Sequence, residues 1–162
     1  MKEESSSNIS PFEYDRDGTL IRYTGRGGAV VVPKGVKIGA YAFKDCTDIT
    51  QLIISEGVTI GNFAFENCTG IKKLTIPEGV QIGNFAFSGC EGINQLTIHQ
   101  DVKIGVYAFE CCTAINKLTI HQDLTIGSHA FQHCTGITQL IIYKGVTIGP
   151  QAFDGCTGIT QL

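Results

Sequence analysis

Apolar and polar side chains follow one another in a pattern that repeats every 22 residues through most of this chain. The most regular part is an Ala-Phe pair with a cysteine three residues after the phenylalanine. The phenylalanines of these pairs are Phe43, Phe65, Phe87, Phe109, Phe131 and Phe153, and the cysteines are Cys46, Cys68, Cys90, Cys112, Cys134 and Cys156. A fixed period of this length indicates structural units that stack on one another.

Within one unit, residues 73–94, apolar positions alternate with polar ones in two places. Leu74 and Ile76 flank one polar residue, and Val80 and Ile82 flank another. Alternation with a period of two places the apolar side chains on one face of an extended chain. Each unit is therefore predicted to contain two short strands with one face inward.

The spacing changes between the second strand and the cysteine. Cys90 lies four residues after Ala86 and three after Phe87, a spacing that predicts a single helical turn. Gly83 precedes them and recurs in each unit, so we expect a corner with unusual backbone angles or a close approach. A lone unit buries too little apolar surface to order its own backbone, so the units must pair their strands. The sequence predicts a repeat solenoid, a right-handed, β-rich superhelix with a parallel sheet and one short helical turn per 22-residue repeat.

The chain divides into three regions by composition. Residues 1–11 are polar and serine-rich, which predicts a disordered tail. Residues 12–28 contain two strand-like arms around an Asp-Gly pair and then a glycine-rich connector, so we expect a capping hairpin. Residues 29–162 hold six repeats in a single domain. Residues 160–162 start a further strand without a C-terminal cap, which suggests a fragment of a longer protein or end-to-end self-association through that coil.

The pattern Leu-x-Ile-x-x-x-Val-x-Ile-Gly-x-x-Ala-Phe-x-x-Cys-x-x-Ile, carried by residues 29–162, resembles the BspA-like, or Treponema pallidum-type, class of leucine-rich repeats. The unit here is one residue shorter than the usual unit of that family, which bears on the curvature of the solenoid. The resemblance implies a leucine-rich-repeat fold in an extracellular or surface-attached module that adheres to host proteins or other cells. The family motif contains no catalytic residue, so none is carried over to this chain.

Charge narrows the classes of partner. The chain has 12 basic and 15 acidic residues, a formal net charge of -3 and a pI near 5.7. This balance gives no broad basic field for phosphate backbones or anionic lipids, so no nucleic-acid partner is expected. No apolar stretch approaches the length of a spanning helix, so no membrane insertion is expected. An extracellular or cell-surface location follows from the resemblance, and an intracellular one stays open.

Two sets of side chains could carry chemistry. The cysteine column is predicted to be a file of buried, reduced thiols, because parallel side chains disfavour the disulfide dihedral angle. Cys111 lies outside the column and is expected to be the more reactive thiol. His99 and His121 occupy equivalent positions, each followed by Gln-Asp, so imidazoles and carboxylates should meet on one surface. That cluster fits a solvated strand end, a divalent metal or a pH-sensitive contact; we predict no metal ligand set and no cofactor.

The outward side chains of the first strand should form columns across the stacked units. Such a face suits a protein or glycan partner, because it spreads hydrogen-bonding groups and offers no deep pocket. Threonine is also common in ordinary solvated strands, so the columns alone do not prove a site. The columns are Gln51, Lys73, Gln95, Lys117 and Gln139; Ile53, Thr75, Thr97, Thr119 and Ile141; and Ser55, Pro77, His99, His121 and Tyr143, with Ile141 and Tyr143 as the first anchor candidates.

Two functions from different classes fit these features. The first is a non-catalytic leucine-rich-repeat module that binds protein or glycan in cell-surface recognition or adhesion. The alternative is a structural spacer or intracellular scaffold domain of a longer protein. An enzyme is not expected, because almost no sequence outside the repeats is available to build a pocket.

Overall fold

The computed structural model describes residues 10–160. Each repeat contributes one longer strand of four to six residues and one short strand of two residues. Residues 1–9 of the expected tail and the last two residues of the expected C-terminal strand lie outside the described residues. The strands are β1 (Phe12–Tyr14), β2 (Thr19–Tyr23), β3 (Gly28–Val32), β4 (Lys37–Ile38), β5 (Ile49–Ile54), β6 (Thr59–Ile60), β7 (Lys73–Ile76), β8 (Gln81–Ile82), β9 (Gln95–Ile98), β10 (Lys103–Ile104), β11 (Lys117–Ile120), β12 (Thr125–Ile126), β13 (Gln139–Ile142) and β14 (Thr147–Ile148).

The strands form two sheets that run along the solenoid. The longer strands make a six-stranded parallel sheet in the order β13-β11-β9-β7-β5-β3. The second sheet has the order β1-β2-β4-β6-β8-β10-β12-β14, in which only β1 and β2 pair antiparallel. Leu74 lies opposite Leu96, and Ile82 opposite Ile104, so equivalent residues pair between neighbouring repeats. The prediction of a repeat solenoid with parallel sheets is confirmed.

The alternation read from the sequence sets which side chains point into the core. In β9, Gln95 and Thr97 are exposed, whereas Leu96 and Ile98 are buried. A strand turns successive side chains to opposite faces, so β7, β9 and β11 bury their Leu and Ile and turn their Lys, Gln and Thr outward, whereas in β13, in the last repeat, Ile142 is exposed. The inner faces of the two sheets thereby close one continuous apolar core.

A file of phenylalanine rings runs through the centre of this core. Neighbouring ring centroids from Phe43 to Phe153 are 4.5 to 5.4 Å apart. The rings from Phe43 to Phe131 are fully buried, and Phe153 is partly buried. Burial of one such ring contributes about 1.5–3 kcal/mol, and it occurs only when a neighbouring repeat covers the ring. The stacking of repeats is therefore what makes the phenylalanine core possible.

The segment between the second strand and the cysteine is a series of turns and not a helical turn. No helix occurs among residues 10–160. The Ala64 N–H donates to the Gly61 oxygen in the same repeat at 3.3 Å, but the Phe65 N–H donates to the Ala86 oxygen of the next repeat at 2.7 Å. Phe63 has a left-handed φ of 58°. A helix needs successive N–H groups to bond within the segment, so the prediction of a helical turn was wrong.

The corner glycine is needed for a close approach between repeats. A Cβ atom placed on Gly105 would lie 2.6 Å from the carbonyl carbon of Gly83. The Gly105 N–H donates to the Ile82 oxygen at 2.9 Å, which holds the two backbones together. Gly105 does not have a positive φ. Of the two reasons expected for this glycine, close approach is the one that applies.

The N-terminal hairpin covers the first ring of the phenylalanine file. Asp15 Oδ1 accepts hydrogen bonds from the backbone N–H groups of Asp17, at 3.0 Å, and Thr19, at 2.9 Å, which fixes the turn between β1 and β2. The Tyr23 ring stacks on Phe43 with centroids 5.1 Å apart, and Phe12 packs against Phe43 at 6.3 Å. The hairpin thus supplies aromatic contacts where a preceding repeat would otherwise stand.

Candidate interaction surface

The outer face of the six-stranded sheet brings two of the predicted columns into register. Equivalent residues are direct partners in the strand ladders that join β5 to β13. The outward residues of these columns are exposed or half-buried, while the Leu and Ile residues between them are inward. The first column is Gln51, Lys73, Gln95, Lys117 and Gln139, and the second is Ile53, Thr75, Thr97, Thr119 and Ile141.

The second column has a polar centre and apolar ends. Ile53 and Ile141 keep 43% and 40% of their surface exposed. Between them lie three successive threonines, whose side chains are exposed or half-buried. On β3, Val31 pairs with Ile53 and is 51% exposed, so the apolar end near the hairpin spans two strands.

The third column continues one residue beyond the strands. The Tyr143 N–H donates to the Ile120 oxygen at 3.0 Å, which extends the ladder to this position. The rings of His99 and His121 stack with centroids 6.1 Å apart and planes 7° from parallel, and His121 stacks on Tyr143 at 5.6 Å and 2°. Tyr143 is 53% exposed. The structure therefore brings three predicted residues into one aromatic stack at the edge of the face.

Open depressions lie beside this stack. One is lined by Glu78, Gln100 and Gln122 together with the three stacked rings. The carboxylates of Asp101 and Asp123 are not among the groups that line it, so the expected meeting of imidazoles and aspartates is not what the structure shows at this depression.

A second depression, lined by Glu56, Pro77, Glu78 and His99 among others, adjoins the first. Lys34 forms an exposed ion pair with Glu56 at 2.9 Å, and its hydrogen bond lowers the pKa of Glu56. Among the described residues, Lys73 and Lys117 belong to no ion pair. Lys73 and Lys117 stand where their strands begin, and Glu56 and Glu78 follow the ends of theirs, at an edge that also carries Lys34.

The cysteine column is structural. The Cys90 Sγ donates to the Phe65 carbonyl oxygen of the preceding repeat at 3.1 Å, and the Cys68, Cys112, Cys134 and Cys156 thiols make the equivalent contact at 3.0 to 3.3 Å. All seven cysteines are free. Burial raises the pKa of Cys90 to about 12, so its proton stays on sulfur near neutral pH. Reduced, buried thiols are what the sequence predicted for the middle of the column.

Cys111 is half-buried and lies outside this column. Burial raises its pKa, and the negative charges of Glu110 and Glu91 raise it further. A raised pKa lowers the thiolate fraction, and the thiolate is the reactive form. The environment therefore opposes the expected reactivity, although Cys111 remains more accessible than the buried thiols.

The sequence reasoning missed a second aromatic column, on the turn segments. Its rings stack with centroids 4.7 to 5.0 Å apart, closer than the rings of the histidine stack. The signal was available, because an aromatic residue stands two positions before the core phenylalanine in five repeats. The column consists of Tyr41, Phe63, Phe85, Tyr107 and His129.

The residues of this second column are strained. Each has a left-handed φ, for example 61° at Tyr41 and 55° at Phe85. Bulky residues adopt this region rarely, and stacking on neighbouring rings of the column offsets the cost; Tyr41 and His129, at its ends, have one such neighbour each. The Lys44 Nζ lies 5.5 Å from the centre of the Tyr41 ring. It also forms an ion pair with Glu66 at 2.9 Å, and the hydrogen bond within this pair raises the pKa of Lys44.

Two further findings bear on function. Between residues 10 and 160, no three or more His, Cys, Asp or Glu side chains are grouped so as to hold a metal ion. In the same stretch, no helix has the length and apolar character that a lipid bilayer requires of a spanning segment.

Known proteins with the same repeat were found by sequence and by structure. Residues 36–160 match the family model for the BspA type leucine-rich repeat region, in six copies. The comparison with curated proteins found no match. The chain is similar to the crystal structure of a leucine-rich repeat protein from Bacteroides ovatus, with a TM-score of 0.69 and 26% identity over 85% of this chain and 37% of that one.

Two other crystal structures share the fold. A leucine rich cell surface protein from Faecalibacterium prausnitzii gives a TM-score of 0.67 and 22% identity, over 92% of this chain and 51% of that one. The T. pallidum leucine-rich repeat protein gives a TM-score of 0.63 and 24% identity, over 93% of this chain and 89% of that one. The chain thus spans from about a third to half the length of the first two structures. Since the six repeats of the family model cover most of the sequence, the chain belongs to the BspA-type leucine-rich-repeat family.

Proposed function

We propose that this protein is a non-catalytic binding module that captures a macromolecular partner, foremost a protein, on the outer face of its six-stranded sheet. The observation that carries the proposal is the exposure of Ile53, Ile141 and Tyr143 in in-register columns. Their side chains point away from the core, so packing of the solenoid does not require them to be apolar. An exposed aromatic side chain such as Tyr143 is a typical anchor residue in protein interfaces.

The charged groups of the same face support a protein partner over a small molecule. Lys73 and Lys117 stand free of ion pairs in the described part of the chain, so they are available to acidic side chains. Glu56 and Glu78 line a depression at the opposite edge. Charges of both signs on one face select the orientation of a partner and suppress wrong ones.

We propose a cell-surface location for this activity. The support is the F. prausnitzii protein, which shares the fold and is described as a cell surface protein. We also propose that the chain has no catalytic role, because the repeat motif consists of core, turn and face residues. Burial and the nearby Glu110 and Glu91 raise the pKa of Cys111, which disfavours the thiolate that a nucleophilic cysteine needs.

The test is binding of the purified chain to an array of immobilised extracellular matrix and plasma proteins and to a glycan array. The expected result is retention by at least one protein on the array. A triple variant, Lys117→Ala with His121→Ala and Tyr143→Ala, should lose that retention while its thermal unfolding stays the same.

The control is a triple variant on the second sheet, where Gln81, Lys103 and Thr125 are exposed. Replacement of these three by Ala should leave retention unchanged. Retention by glycans alone would reassign the partner class, and equal loss in both variants would contradict the assigned face.

The alternative is a spacer that holds other parts of a longer protein apart. The observation in its favour is that this chain spans only 37% and 51% of two proteins that share its fold. A spacer would bind nothing on either array, and neither triple variant would differ from the unaltered chain.

A further inference from the structure

We infer that His99 and His121 form a binding site for a first-row transition metal ion of the nickel, copper or zinc type. The two residues follow β9 and β11, which are direct neighbours in the six-stranded sheet. Their rings face one another with centroids 6.1 Å apart and planes 7° from parallel. The site shares His121 with the proposed partner face, but the inference does not rest on that proposal, because it needs only these two side chains and water.

Both imidazoles are available to a ligand. His99 is exposed and His121 is half-buried. Within residues 10–160, neither ring makes a hydrogen bond or an ion pair to the protein, so no ring nitrogen is committed to another group. Tyr143 covers only one face of the His121 ring, and the nitrogen atoms lie on the ring edge.

The geometry allows the two rings to share one ion. Imidazole nitrogen binds zinc at about 2.0–2.1 Å, so two nitrogens on one ion must come closer together than the stacked rings are. Rotation about the Cα–Cβ and Cβ–Cγ bonds tilts the ring edges toward each other; no hydrogen bond opposes it, although His121 then gives up part of its stacking on Tyr143. The backbone spacing is already held by the β9–β11 ladder. Binding therefore costs side-chain reorientation and part of that stacking.

The surroundings favour a cation with water in its remaining positions. The Glu78 carboxylate lines the same depression and adds negative charge, while Gln100 and Gln122 offer amide oxygens. In the described residues no group of three or more His, Cys, Asp or Glu is placed to hold a metal ion, so water would have to fill the positions that the two imidazoles leave. We expect the affinities to follow the order copper, then nickel, then cobalt, because imidazole sites obey that order.

The test is calorimetric titration of the intact, untagged chain with Ni²⁺ near neutral pH. A single site is expected, and His99→Gln or His121→Gln should weaken Ni²⁺ binding by about tenfold or more, since each removes one of two ligands. Glutamine keeps the size and polarity of the side chain.

The control is the pair His129 and His133, which lie on the turn segments and have left-handed φ values of 57°. His129→Gln with His133→Gln should leave Ni²⁺ affinity unchanged. Cys111→Ser should also leave it unchanged, and Co²⁺ bound to the unaltered chain should show no thiolate charge-transfer absorption.

Three results would overturn the inference. The unaltered chain could bind Ni²⁺ no more tightly than the His99→Gln variant, the control variants could remove the binding, or the Co²⁺ spectrum could show sulfur ligation. Each of these outcomes leaves the partner-binding proposal untouched, because the metal titration contains no partner.

Discussion

The Phe65 carbonyl oxygen accepts a hydrogen bond from Cys90, whose Sγ lies 3.1 Å away in the next repeat. The same oxygen accepts the backbone N–H of Cys68, in its own repeat, at 3.2 Å. One backbone group thus serves both the local turn and the contact between repeats. The cysteine column is explained by this double use, since a thiol is apolar enough for the core and can still donate.

Cys90→Ala should lower the free energy of unfolding by about 1–3 kcal/mol, because it removes the thiol donor and leaves a small cavity. Urea denaturation measures the change. Cys111→Ala is the matched control and should change stability by less, since that side chain is only half-buried. Equal effects of the two substitutions would contradict a structural role for the column.

Alkaline pH should destabilise the fold through the same thiols. Burial raises the pKa of Cys90 to about 12, whereas an unfolded cysteine ionises near about 8.5. Between these values the unfolded chain holds fewer protons than the native one, so the free energy of unfolding falls as pH rises. The stabilisation is complete below the unfolded pKa and is lost as pH rises toward the folded pKa.

The measurement is urea denaturation of the unaltered chain and of Cys90→Ala at several pH values above about 8.5. The decline should be shallower for the variant, which has one titrating group fewer. Identical slopes would show that Cys90 is not the group responsible.

Phe85 offers a test of backbone strain in the turn column. Its φ is 55°, a region that glycine enters freely and alanine does not. Both Phe85→Gly and Phe85→Ala lose the stacked ring, so their difference isolates the backbone. The glycine variant should be the more stable by about 1 kcal/mol, as measured by thermal or urea unfolding.

The matched position is Phe87, which lies in the core file and has no positive φ. There Phe87→Gly should be less stable than Phe87→Ala. The same order of stability at both positions would count against left-handed strain at Phe85.

Gly105→Ala should destabilise the solenoid more than Gly79→Ala. The added Cβ at Gly105 meets the Gly83 backbone at 2.6 Å, and backbone held by strand pairing cannot move aside easily. Gly79 has a φ of 73° but open space around it, so its substitution costs only backbone strain of about 1 kcal/mol. The measurement is the urea unfolding midpoint of each variant. An equal midpoint, or a lower midpoint for Gly79→Ala than for Gly105→Ala, would contradict the close approach at Gly105.

Strand positions and register could be predicted from the sequence because they follow from local alternation. Leu96 and Ile98 alternate with polar residues, and a one-residue shift would turn both out of the core. The fixed 22-residue period then required equivalent residues to lie side by side.

The turn segment could not be predicted in the same way. Cys90 lies four residues after Ala86 and three after Phe87, and this spacing fits a helical turn as well as a series of tight turns. What decides between them is the N–H of Phe87, which bonds to Ala108 in the following repeat at 2.7 Å. That bond is non-local, and residue preferences do not indicate it. The left-handed aromatic at Phe85 was missed for a related reason, since phenylalanine is not a residue that normally signals a positive φ.

The repeat period correctly predicted that the outward histidines lie side by side, but it did not predict which groups surround them. Equivalent positions in adjacent units had to meet, which gave the stacked pair. The expected aspartates follow two residues later at left-handed φ values of 56° and 58°, and the turn geometry there depends on backbone angles that the sequence pattern does not encode.

The in-register ladder of the six-stranded sheet determines how the outer face changes when repeats are gained or lost. Adding or removing one copy of the repeat lengthens or shortens the face by one strand spacing, about 4.8 Å, and leaves the joints on either side chemically the same. Solvent-facing residues meet mainly their counterparts in adjoining copies. Variation at those positions can therefore change the chemistry of the outer face while the core stays the same.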